Sequence, residues 1–257
     1  MEEDVDTYLA LTNPDGSHWL PRLKEHVRML RMFNIRQPIH LLMTAKRHLS
    51  DSDFERLLDA IVVISFRYNV IGNLQPNEQE RAYHAEAMRL ATQVHTKLHD
   101  VLDGLKTVYT HDDVFRTAFA EKTIGTAQNR NRQVVKYILC QLERQKTGAD
   151  LDFGSDTLSI EHICPTKPQK TWQSFTDEDV ETLSDRLGNM TLLQAGQNND
   201  LGNAEYAVKR PVYQKSTYGL TRDIAEHNAD WTPERIAARQ KSMASMATSI
   251  WRIAQLS

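Results

Sequence analysis

Between positions 161 and 209 the chain carries five polar residues whose types and spacing can bind one divalent metal and deprotonate one water. Glu161 and His162 are adjacent. They follow the apolar-rich run Leu158-Ser159-Ile160 and precede Ile163-Cys164-Pro165. Asn189 sits inside Leu187-Gly188-Asn189-Met190-Thr191-Leu192-Leu193, and Asn198 and Lys209 come later. A neutral histidine near pH 7 is matched to taking a proton from an attacking water. A divalent metal stabilises the charge that a phosphate gains as it is attacked. Mg²⁺ accepts few, hard oxygen ligands and keeps several waters. One carboxylate and one amide oxygen, Glu161 and Asn198, therefore suffice as protein ligands.

The elements around these residues must bring them together. On a regular strand Glu161 and His162 point to opposite faces. A strand that ends here, with a local twist ahead of Pro165, lets both reach one site. Gly188-Asn189 is the dipeptide a tight turn favours. Asn198 and its neighbour Asn199 also suit a helix cap.

Upstream the pattern is helical. Residues 1 to about 20 read as an irregular lead-in with a turn at Asn13-Pro14-Asp15-Gly16. Helical spacing then predicts helices over about 21–33 and 39–49, with a third after the cap cluster Ser50-Asp51-Ser52-Asp53. Further helices are expected over about 78–102, from Asp112 or Asp113 to Glu121, and over about 129–146. Gly148-Ala149-Asp150 marks the expected boundary between a helical region, 1–150, and a second domain, 151–257. The end of the chain returns to helix from Pro233, with Met243, Met246 and Trp251 as core. His95 and His99 share a spacing of four on the 78–102 helix, but no third ligand is evident, so they read as a surface coincidence.

Composition sets limits. Of 257 residues 40% are apolar and 25% charged, an ordinary water-soluble balance. There is no apolar run long enough to span a membrane and no secretory pattern at the N-terminus. Two cysteines, Cys140 and Cys164, make no disulfide framework and fit a reducing cytoplasm. The net charge of −3 gives no basic excess for nucleic acid, so any DNA affinity must come from a local patch or a partner.

Glu161-His162-Ile163-Cys164-Pro165 resembles the acid-His-Ile-x-Pro opening of HNH nucleases, which fold as a ββα-metal finger. The Gly188-Asn189 segment followed nine positions later by Asn198 resembles their second strand and helix. With Asn203, Lys209, Tyr213 and Ser216, the set is most similar to the nuclease half of GmrSD-type modification-dependent restriction enzymes and the related SspE proteins of phosphorothioate-based phage defence. The resemblance implies a mainly α fold with a small α+β part: a helical N-terminal region, then a ββα-metal HNH nuclease domain with additional C-terminal helices. It implies His162 as general base, Asn189 as the residue that tethers the loop and orients the histidine, and Lys209 as a phosphate contact. Glu161 and Asn198 would hold the metal, Mg²⁺ or Mn²⁺. DNA would be the substrate, nicked or cleaved in anti-phage restriction. The family's sensor and nucleotide-hydrolysing domain, with its Asp-Gly-Gln-Gln-Arg-type motif, is absent from the sequence, which implies a partner domain or subunit elsewhere. Two rival readings stay open: a non-catalytic DNA- or partner-binding module with a degenerate site, and an RNase.

Overall fold

The computed structural model describes residues 2–168 and 172–256. It is mainly helical with one small antiparallel sheet. The chain divides into two compact units, Met1–Phe115 with Trp251–Ser257, and Arg116–Ile250.

The first unit opens with a helix where the sequence predicts irregular chain: α1 spans Glu2–Thr12. Thr7, Ala10 and Leu11 are buried while Val5, Tyr8 and Leu9 are exposed. Apolar residues on both faces leave no clean stripe to read. After a turn of 3-10 helix at Pro14–Gly16 come α2 (Pro21–Met32), α3 (Ile39–His48) and α4 (Asp51–Ser65). Ser50 caps α4 by accepting the Asp53 amide proton at 3.1 Å. Leu57, Leu58, Ile61 and Ile64 of α4 are fully buried.

A π-helical segment, Phe66–Ile71, extends α4 and buries Arg67 completely. Its guanidinium donates to Thr110 O, Tyr109 Oη, Trp251 O and Asp112 Oδ1 at 2.7–2.8 Å. A buried cation is tolerable only with such full hydrogen bonding. The helix expected over 78–102 is two helices, α5 (Pro76–Ala91) and α6 (Leu98–Gly104). Gln93 adopts a positive φ of 57°. The amides of Val94 and His95 both bond Arg89 O and close α5. His95 and His99 therefore do not share a helix. Each faces a carboxylate instead, Glu86 and Asp103.

α7 (Asp112–Glu121) runs from the first unit into the second. In the second unit α8 spans Asn129–Thr147 and stops at Gly148, in the left-handed region at φ 77°. Then follow β1 (Leu158–His162), α9 (Asp177–Leu183), β2 (Met190–Gln194), α10 (Ala195–Leu201), α11 (Tyr206–Gln214), α12 (Gly219–His227) and α13 (Pro233–Ile250). The sequence places a break at 148–150, yet α8 packs on both strands and on α12 and lies in their unit. A glycine stop records where a helix ends, not where its apolar face goes.

Candidate active site

β1 and β2 pair antiparallel, with Leu158 opposite Gln194 and His162 opposite Met190. The ladder continues unbroken through Ile163 N to Asn189 O at 2.9 Å. Residues 159, 161 and 163 thus turn their backbone groups toward β2, and the carbonyls of Ile160 and His162 point out from the hairpin edge. Two downstream helices hold those carbonyls. Asn198 of α10 donates its amide protons to Ile160 O at 2.8 Å and Ser159 Oγ at 2.7 Å. Lys209 of α11 donates to His162 O at 2.8 Å and Ile163 O at 3.1 Å.

The strand stays regular, so the local twist expected ahead of Pro165 is not there and Glu161 and His162 face opposite ways. Glu161 is 2% exposed. Its Oε1 accepts the Tyr213 hydroxyl proton at 2.6 Å and lies 2.7 Å from Lys209 Nζ. Burial first, then the Glu161 charge, raises the Tyr213 phenol far above its ordinary range, so it stays a proton donor.

Asn189 is fully buried, and both ends of its amide bind the loop after β1. Its Oδ1 accepts from Cys164 N at 2.9 Å and from Trp231 Nε1 at 3.1 Å. Its Nδ2 donates to Cys164 O at 2.8 Å and Ser184 O at 3.0 Å. The turn itself is clamped by α13. Gln240 accepts from Gly188 N, and Arg239 donates to Gly188 O and Met190 O, both at 2.8 Å. Burial lowers the Arg239 guanidinium to about 10.

His162 turns toward Asp185, which the sequence reading missed. Its Nε2 is buried, makes no hydrogen bond among the described residues, and lies 3.5 Å from Asp185 Oδ1. Asp185 is fixed through its backbone, since Ile124 N donates to its carbonyl at 3.0 Å and Thr123 bridges Arg186 beside it. The available signal was an acid just ahead of the Gly188-Asn189 turn. Sequence reasoning also missed Glu143 of α8. It is 1% exposed and accepts the Gly219 and Leu220 amide protons at 2.7 and 2.8 Å, capping α12.

The donor set fits a small hard cation in kind. Asn198 Oδ1 and the second carboxylate oxygen of Glu161 accept no hydrogen bond among the described residues, but Asn198 reaches the β1 edge from α10 whereas Glu161 faces the side of β1 opposite His162. Lys209 already balances the Glu161 charge, so a cation there shares that carboxylate with an ammonium. A separate group able to hold an ion is Asp223, Glu226 and His227 on the surface of α12, where Lys146 pairs with Asp223 at 2.6 Å. Burial pushes the Cys140 and Cys164 thiols up to about 12, which leaves both protonated and unsuited as nucleophiles. Among the described residues no helix is long and apolar enough to cross a membrane.

No curated protein matches the chain. A family model does, over residues 109–246, which nearly coincides with the second compact unit. That span holds the hairpin, the Asn189 tether, His162 and Asp185, and it covers more than half of the sequence. By that match the chain belongs to the family of the GmrSD restriction endonucleases, C-terminal domain.

Proposed function

We propose that the chain is a metal-dependent DNA endonuclease of phage restriction, of HNH type, with His162 as its general base. The observation that carries this reading is the His162 ring. Its Nε2 has no hydrogen-bond partner among the described residues, yet a carboxylate stands 3.5 Å away. A histidine held only for packing would normally have that nitrogen bonded.

In this reading His162 takes the proton of the attacking water. Asp185 stabilises the imidazolium that results and orients the ring. Lys209 fixes the His162 carbonyl, so it positions the base, and the phosphate role implied by the resemblance is not needed. Asn189 holds the loop that leaves β1 directly after the histidine. Asn198 would hold Mg²⁺ or Mn²⁺, while Glu161, buried against Lys209 and Tyr213 on the face of β1 opposite His162, serves to fix the strand and does not reach the same site. When bound, the metal supplies positive charge to the phosphate and the leaving 3′ oxygen. A sensor domain or subunit outside this chain would license cleavage.

Supercoiled plasmid with Mg²⁺ or Mn²⁺ tests the proposal. His162→Ala should lose about 10² to 10⁴ in rate, and Asp185→Asn about 10- to 100-fold, with unchanged melting. Equal rates for His162→Ala and the parent remove His162 as the base. Cleavage of RNA in preference to plasmid favours the RNase reading.

A further inference from the structure

The first compact unit contains a cavity of about 460 Å³ that the nuclease reading does not use. Pockets of this size accept small organic ligands. It lies among α1, α2 and α3, and Val27, Leu30, Ile35 and Leu42 form a buried apolar floor. Arg31 and Arg36 line it and are exposed. Neither guanidinium makes a hydrogen bond or ion pair among the described residues. The nearby Asp15 carboxylate is paired with Arg28, and the Arg31 charge acts on it only through space. Among the described residues no carboxylate lines the cavity, although the whole chain has a net charge of −3.

We propose that this cavity binds a small anion with a planar body, of the nucleoside monophosphate class. Two unpaired guanidinium groups match the donor geometry of a phosphate. The apolar floor excludes water and suits a ring rather than a free inorganic ion. Asn34 lines the same cavity and brings a side-chain amide that an aliphatic chain would leave without a partner. Asn34 is held with a positive φ of 62°, at the turn that carries the chain from α2 towards Arg36.

Titration calorimetry on the full chain tests this, with EDTA present to suppress any metal-dependent binding at the nuclease site. The probes are deoxyadenosine 5′-monophosphate, inorganic phosphate, deoxyadenosine and octanoate. The expected result is saturable one-to-one binding of the monophosphate, with the other three at least about tenfold weaker. Arg31→Ala with Arg36→Ala should weaken the monophosphate by about tenfold or more. Both side chains are exposed and unbonded, so far-UV circular dichroism and melting of this variant should match the parent. The proposal is overturned by absence of saturation at about 1 mM monophosphate or by undiminished binding to the double variant. It is equally overturned if phosphate, deoxyadenosine or octanoate binds as tightly. His162→Ala leaves this binding intact, so failure here and failure of the nuclease reading are separable.

Discussion

Lys209 and Glu161 form a buried ion pair whose members are 0% and 3% exposed at the side chain. Removing one partner of such a pair leaves a charge with no compensation in a medium that solvates it poorly. Lys209→Met should therefore destabilise the protein by about 3–5 kcal/mol. Adding Glu161→Gln should restore part of that loss, because Tyr213 can still donate to the amide oxygen, while the His162 and Ile163 carbonyls remain without Lys209. Urea unfolding of both variants measures this. A single variant as stable as the parent would show that the pair is dispensable. The types of these residues were legible in the sequence. Their mutual engagement was not, because Glu161 and Lys209 are separated by 47 other residues and nothing local links them.

At the level of elements, the Gly188-Asn189 turn is where α13 docks. A β-carbon on Gly188 would meet the Ile236 carbonyl oxygen and lie 2.8 Å from Gln240 Cβ. Gly188→Ala should cost about 1–3 kcal/mol through overpacking, read as a lower melting temperature. An unchanged melt would mean that α13 shifts freely. The sequence shows the glycine as a turn residue, but the close approach of α13 belongs to the packing.

Helix α9 carries a capping box in which Thr176 N and Oγ1 both donate to Asp179 Oδ2. Those bonds lower the Asp179 pKa from 3.8, the backbone bond more than the side-chain one. A depressed carboxylate pKa contributes stability above the unfolded value and loses it as pH falls through the folded value. Hydrogen-exchange protection factors in α9, corrected for the intrinsic exchange rate at each pH, should then fall below about pH 4, and less so in Asp179→Asn. Protection factors that do not change between pH 5 and 3 would remove this cap from consideration.

Across the whole molecule, charge argues for weak intrinsic hold on DNA. A net charge of −3 leaves little for phosphate neutralisation beyond a local patch. Each neutralised phosphate contributes about −0.9 to the slope of log K against log salt on duplex DNA. We expect a shallow slope for this chain alone, measured by fluorescence anisotropy. A slope implying roughly eight or more contacts would place the full DNA-binding function within it.

The sequence by itself determined the helices with clear apolar stripes, the two strands, and the residues proposed for the candidate site other than Asp185. Those signals are local: a cap, a periodicity, a glycine-asparagine turn. The tertiary structure decided which groups meet. It turned His162 toward Asp185, set Glu161 against Lys209 and Tyr213, closed Asn189 over the loop at Cys164, and placed α8 with the sheet. Strand register made these choices. Alternation along β1 sends neighbouring side chains to opposite faces, and only the partner elements, distant in sequence, determine what each face contacts.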